Sequence, residues 1–394
     1  MIKLQNLLQR AYENADGFRK RMSETGITLE DIHSIDDLYK LPILKKEDLP
    51  ELQQNVSPFG GFTTIPANQT ARIFMSPGPI YDPQAIEEDN WRFAEALAVA
   101  GFNNEDIVQN TFSYHLSPAG FMFDSALRSL GATVIPAGTG NRDLQIQVMK
   151  DLRVTGYVGT PSFLALLLDA AEEKGWSVGN EIKLQKAFFT AEMVTAEIRE
   201  RCNKGKIAVY EGYGTADCGL IAFDDKNGPG LKISKSVIVQ ICDPATGEPV
   251  TDSEGEVVVT VYDHFYPLIR FGTGDLSRWV DGYVGERIAG VLGRVSDGVK
   301  VKGMFVREKQ LTTLMNELGF PNYQAVVTRV KNQDQIEIFI EAKEIIGEEQ
   351  IVELVAKIKD VIIVTPVVTV SYDRKLAEAE KRLVDERTWD TAKK

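Results

Sequence analysis

The chain has 394 residues, 43% hydrophobic and 26% charged, with 44 basic against 57 acidic side chains and a formal net charge of −13. That length fits two to three domains with enough apolar content for a sizeable core. An acidic balance with no basic block argues against nucleic acid and anionic membrane as partners, while leaving room for an anionic small ligand in a locally positive pocket. No apolar run approaches the roughly 20 residues of a membrane helix. The amphipathic start MIKLQNLLQRAYENADGF lacks the apolar stretch and cleavage site of a signal peptide, so a cytoplasmic protein is expected. Cys202, Cys218 and Cys242 are widely spaced, and with His33, His115 and His264 they make a poor zinc inventory; they read as reduced thiols.

Residues 1 to about 50 read as short amphipathic helices, with Asp and Ser caps before apolar residues in LEDIHSIDDLYKLPILKKEDL. Next comes IFMSPGPIYDP, a Gly/Pro-rich stretch after an apolar run, with a helix expected from about Pro83. Helix and strand then alternate to about residue 210. EEDNWRFAEALAVAG is helical in spacing, DIVQNTF a strand, PAGFMFDSALRSLG a helix and ATVIP a strand. RDLQIQVMKDLRV is a helix, GYVGT a strand, PSFLALLLDAAEEKG a helix with Pro in its first turn, and LQKAFFT a strand. Such alternation predicts βαβ crossovers and a parallel sheet covered on both faces, an α/β fold. After about residue 218 the pattern changes. In SVIVQICDPATGEPVTDSEGEVVVTVY, two β-rich runs around turn chemistry predict an antiparallel hairpin or small barrel-like part. From about residue 297 the order strand pair, helix, two strands, helix, strand fits a small α+β domain. The expected division is 1–294 and 297–394.

In open α/β sheets ligands bind beyond the carboxyl ends of the strands. Those ends here are TFSYHLSPAG, PAGTGN, GTPS, FFTAEM and YEGYGTADCG, rich in Gly, Ser, Thr and aromatics. Strand ends are also ordinary turns, so composition alone gives a place for a site and no chemistry.

Several segments in order, SIDDLYKLPILKKEDL, GATVIPAGTGNRDLQIQVMKDLRVTGYVGTPSFLALL, YPLIRFGTGDL and GRVSDGVKVKG, resemble the adenylate-forming superfamily of acyl-CoA synthetases, and within it the phenylacetate–CoA ligase branch. The resemblance spans nearly the whole chain. It implies a large AMP-binding domain with a small C-terminal lid, ATP/AMP and coenzyme A as ligands, possible Mg²⁺, a small or aromatic carboxylic acid as substrate, and a homodimer. It also implies residue roles. Tyr213, Gly214 and Thr215 correspond to the adenine loop, with Tyr213 stacking on the purine. Asp217 stands where the family has a metal-binding Glu, and Ala216 replaces a phosphate-contacting Thr. Ala191 and Glu192 fall in the segment that contacts the base. Asp275 takes the ribose-binding position and Arg294 approaches ribose or phosphate. Ser296 and Asp297 mark the hinge, and Gly303 the pantetheine channel. Tyr114, His115, Pro118, Gly138 and Pro161, with Ser162, would line the acid pocket.

Two departures stand out. The family's phosphate loop reads Ser-Ser-Gly-Thr-Thr-Gly-Lys-Pro. Here Ser76 and Gly78 survive, Pro77 and Pro79 remove N–H donors, and Tyr81 and Asp82 stand near the Gly and Lys positions. Near the C-terminus, EAEKRLVDER aligns so that Ala379 falls on the catalytic lysine; a two-residue slip would let Lys381 serve, and Lys375 is a further candidate. Both losses weaken the grip on polyphosphate. The expectation is therefore an acid–CoA ligase. The alternative is a relative with lost or altered ATP chemistry that binds AMP, CoA or acyl-CoA as a transferase, thioester-handling partner or sensor. A purely structural subunit is the third reading.

Overall fold

The alternating pattern folds into one eight-stranded sheet. In the computed structural model, which describes residues 2–76, 79–301, 304–330, 333–342, 346–372, 376 and 382–387, the chain divides into two compact units, Met1–Val291 and Leu292–Lys394.

In the first unit Thr133–Pro136, Ile107–Asn110, Gly156–Gly159, Lys186–Phe189 and Ala208–Thr215 lie side by side and parallel. Gly219–Phe223, Leu231–Ile233 and Arg287–Ile288 extend the sheet antiparallel. The crossover helices form for local reasons that can be read at Pro161–Glu173. Thr160 caps it by accepting from the Phe163 amide at 3.4 Å, proline fills the first position, and Leu164, Leu167, Leu168 and Ala171 recur at helical spacing. That face is buried in one core with Ile146, Tyr157, Ala187 and Phe189. A separate core forms around Phe93, Phe102, Phe123 and Phe188.

A second sheet of the same unit orders Leu44–Lys45, Phe271–Ser277, Gly255–Val261 and Val237–Cys242. The hairpin expected after residue 218 is its antiparallel pair, with Ile238 opposite Thr260. Leu44–Lys45 joins it parallel, beside Phe271–Gly272, so the N-terminal segment is stitched onto the strand that carries Asp275. Arg270, only 2% exposed, fastens the same segment: its guanidinium donates to the carbonyls of Tyr39 (2.9 Å), Leu41 and Gly247.

Two local expectations fail. No helix starts near Pro83: Ile80–Gln84 is a strand, paired antiparallel with Arg72–Ser76. Pro83 faces Ile73 in that pair, where a two-stranded edge needs no amide from it. The helix expected over 87–101 shrinks to Ala94–Val99, because Asp89 and Arg92 take left-handed φ of 53° and 65° and break the run.

The second unit is an α+β layer. Tyr323–Val330 and Gln333–Glu341 pair antiparallel, flanked in parallel by Leu383–Asp385 and Val367–Ser371. Helices Glu308–Glu317 and Glu348–Ile362 bury Leu311, Met315, Leu354 and Ile358 in its core, with Ile336 and Ile338.

Candidate functional site

Strand Ala208–Thr215 of the first sheet and strand Phe271–Ser277 of the second bring Tyr213 and Asp275 together. The Tyr213 hydroxyl donates to Asp275 Oδ2 at 2.9 Å and lies 3.2 Å from Thr273 Oγ1. The ring is 7% exposed and packs in the core that spans both sheets, so the phenol's pKa is raised well above its ordinary value, by burial and then by the Asp275 charge. Tyr213 is thus fixed as a donor that orients the half-buried Asp275 carboxylate. Gly214 follows because no side chain fits: a Cβ there would stand 2.5 Å from the Gly219 carbonyl oxygen and 2.8 Å from the Phe93 ring. Thr215 closes the turn, its Oγ1 accepting from the Cys218 amide at 3.0 Å, and the Ala216 carbonyl accepts from Trp91 Nε1 at 3.1 Å.

Beyond that turn Asp217 points into a buried polar cluster that sequence reasoning did not assemble. Lys46 Nζ contacts Asp217 Oδ2 at 2.5 Å. Burial works against the Lys46 charge, but Asp217 more than offsets it, and the ammonium is held protonated with a raised pKa. Asp217 Oδ1 is buried without a hydrogen-bond partner. Asp82, 1% exposed, has no close hydrogen bond to either carboxylate oxygen; burial first, and the neighbouring Asp217 charge second, push its pKa up to about 8 against the pull of the nearby Ser76 hydroxyl and amide. Ser76 lies alongside, but its hydroxyl is turned to the Ile80 carbonyl at 3.5 Å. Gln53 locks the hairpin that presents Asp82, donating to the Tyr81 carbonyl at 2.9 Å and accepting from the Tyr81 amide at 2.8 Å. The Tyr266 hydroxyl, also buried and without a close hydrogen bond, has Gln53 nearby and feels the charges of both Asp217 and Asp82. The available signal for Lys46 is its place one residue after the two-residue strand that docks beside Phe271–Gly272; nothing local marks its contact with Asp217, which is 171 residues away in sequence.

The remaining sequence candidates fall at the carboxyl ends of the parallel strands. Ala191 takes φ 71° and turns the chain so that Glu192 Oε2 accepts from the Ser162 amide at 3.3 Å, at the start of the helix that begins with Pro161. Gly138 has φ 66° and accepts from Gln145 Nε2 at 2.9 Å. Tyr114 turns its hydroxyl toward Asn110 and Asp124, at 2.8 Å and 3.1 Å, and burial raises its pKa. Its ring meets Phe121 edge-on. Pro118 is buried at a helix start, whereas His115 is exposed. In the second unit Arg294 and Ser296 are exposed, and Val295–Asp297 forms a single 3-10 turn. Gly78, Gly303, Lys375, Ala379 and Lys381 lie outside the described residues. Among the described residues no group of three His, Cys, Asp or Glu side chains could hold a metal alone.

Residues 93–262 match the family model for AMP-binding enzymes. The phenylacetate-coenzyme A ligase of Thermus thermophilus is 28% identical over 370 residues, covering 87% of this chain and 80% of that protein. Its counterpart from Escherichia coli is 27% identical, covering 87% and 81%. These matches support the phenylacetate–CoA ligase branch of the adenylate-forming superfamily as the family this chain resembles. The chain also shares its fold with an open conformation of 2-hydroxyisobutyryl-CoA ligase, at TM-score 0.81 and 21% identity over 98% of this chain and 90% of that one. No helix among its described residues is long and apolar enough to cross a membrane.

Proposed function

We propose that the protein is an AMP-forming acid–CoA ligase for a small or aromatic carboxylic acid. Its relatives carry the name phenylacetate-coenzyme A ligase, and the observation that carries the reading is the Tyr213–Asp275 pair. A carboxylate held in place by a buried phenol is a double acceptor fitted to the two hydroxyls of a ribose. The substrate carboxylate oxygen attacks the α-phosphorus of ATP, the bond to pyrophosphate breaks, and the acyl-adenylate forms. The thiol of coenzyme A then attacks the acyl carbon, loses its proton and displaces AMP. Asp275 would hold the ribose, and the Gly214–Ala216 backbone would leave a flat approach for the base. Lys46 would face the phosphate tail, supplying the cation that the loop lacks at Asp82. Such charge stabilisation is the dominant need in phosphoryl chemistry, where one group contributes on the order of a hundred- to a thousand-fold.

Magnesium fits Asp217, whose Oδ1 is a hard, anionic, buried oxygen with no partner. When bound it would neutralise charge on the polyphosphate. The assignments of Arg294, Ser296, Asp297, Gly303 and Lys381 to phosphate, hinge, pantetheine channel and adenylation, and of Ala191, Glu192, Gly138, Pro161, Pro118, Tyr114 and His115 to base or acid contacts, belong to the same reading, as do a homodimer and a cytoplasmic location.

The second reading, altered ATP chemistry with AMP, CoA or acyl-CoA still bound, is favoured by one observation: a buried carboxylate, Asp82, stands in the loop where a lysine would. One assay separates them. Pyrophosphate release is measured with ATP, CoA and a panel of acids that includes phenylacetate, benzoate and short branched hydroxy acids. Acid-dependent release with thioester formation is expected; tight AMP binding with no release from any acid would transfer the assignment to the second reading.

A further inference from the structure

We propose that Asp82 is a second carboxylate ligand of the divalent cation that accompanies the nucleotide, so that this loop grips polyphosphate through a metal ion where a lysine would grip it directly. The inference rests on the reading of Asp217 as a ligand of that cation. Its own support is geometric. Aligned on Ser76 and Pro83, the loop places Asp82 on the lysine position, and the strand Ile80–Gln84 carries it into the interior opposite Phe74. Three carboxylate oxygens of the cluster, both of Asp82 and Oδ1 of Asp217, are buried with no close hydrogen-bond partner, Asp82 being approached only loosely by Ser76. A buried ionised carboxylate without a partner is costly, so such a group marks a missing cation or proton.

Lys46 satisfies only Asp217 Oδ2. Two carboxylates against one ammonium leave the pocket short of positive charge. The Tyr266 hydroxyl, on a side chain that is 5% exposed, adds to the picture: it makes no close hydrogen bond, has Gln53 nearby, and feels the charges of both acids. A small hard cation with its water would supply what these loosely held oxygens lack. Magnesium and manganese commonly use one or two protein carboxylates and complete their shell with water and substrate phosphate oxygens. That matches a cluster which, among the described residues, holds too few ligands to bind a metal by itself. By displacing the Asp82 proton, the cation would set its two charges and the Lys46 ammonium against two carboxylates, leaving the pocket net positive toward a triphosphate.

The test is Mn²⁺ binding to the full chain, read from the loss of the free-ion electron paramagnetic resonance signal, with Mn²⁺ alone and with ATP. The wild type is expected to bind one Mn²⁺ per chain, tighter with ATP. Asp82→Asn, which keeps the side chain's shape, is expected to weaken Mn²⁺ at least about tenfold while leaving an AMP-induced thermal shift unchanged. If Asp82→Asn binds Mn²⁺ like the wild type, the oxygens are satisfied by a proton and the proposal fails. Lys46→Met covers the case in which Asp82→Asn does not fold: removing the competing ammonium should tighten Mn²⁺ measured without nucleotide, and an unchanged or weaker affinity overturns the proposal. No acid and no turnover enter the measurement. Mn²⁺ binding that depends on Asp82, with no pyrophosphate released in the assay above, would therefore sink the ligase reading alone.

Discussion

At the scale of single residues, two carboxylates divide the work by environment. Asp275 is half-buried and receives the Tyr213 hydroxyl; Asp82 is sealed and receives no close hydrogen bond. Asp275→Ala is expected to abolish an AMP-induced thermal shift, and Tyr213→Phe to weaken AMP about tenfold by releasing the carboxylate, at about 1.4 kcal/mol. Isothermal titration with AMP checks both. Asp82 gives a pH prediction for the ligand-free protein. Its folded pKa, pushed up to about 8, lies above that of an unfolded Asp. Through the range between the two, the folded state holds a proton that the unfolded chain has released. Stability from this group is therefore full below the unfolded pKa and is lost as pH rises through about 8. Asp82→Asn should flatten that decline, gaining at least about 1 kcal/mol on wild type in mildly alkaline buffer while the two converge in acid. Urea unfolding at a series of pH values reads the difference, and parallel curves for the two proteins would refute the assignment.

At the scale of elements, the site is built by a short segment that barely counts as structure. Leu44–Lys45 adds two residues to the second sheet, and the next residue is Lys46. Arg270 holds the run before it through the carbonyls of Tyr39 and Leu41, and reaches a third at Gly247. Arg270→Met should cost on the order of 3 kcal/mol, because three carbonyls around a buried site lose a charged donor, and should loosen Lys46 as well. Proteolysis near residue 45 and urea unfolding test it together: faster cleavage with a lower midpoint is expected, and an unchanged cleavage rate would show that the strand pair alone positions Lys46. The Lys46 contact is invisible in the sequence for a physical reason. Periodicity and caps report on neighbours within a turn or two, whereas the Lys46–Asp217 bond joins distant elements through a two-residue strand. The hairpin Arg72–Gln84 is hidden similarly. Gly and Pro mark a turn without fixing the element on its far side, and here cross-strand pairing from Phe74 to Asp82 decides for a strand.

At the scale of the whole molecule, the parallel sheet is legible because its crossover helices carry periodic apolar faces with turn signals at their ends, and each strand is a short apolar run bounded by turns. The Tyr213 and Asp275 positions are legible from the ordered motifs, but their mutual hydrogen bond is not, since it spans two sheets. The loss of cations in the phosphate loop is a property of one segment. On the proposed reading Lys46, held against Asp217 from a distant segment, would turn that missing charge into a displaced one. The most direct test compares acid-dependent pyrophosphate release by wild type and Lys46→Met, with AMP binding as the control for folding. Release by the wild type, and a loss of at least about a hundred-fold in Lys46→Met with AMP still bound, is the expected result. Equal release by both proteins, or none from the wild type with any acid, would contradict it.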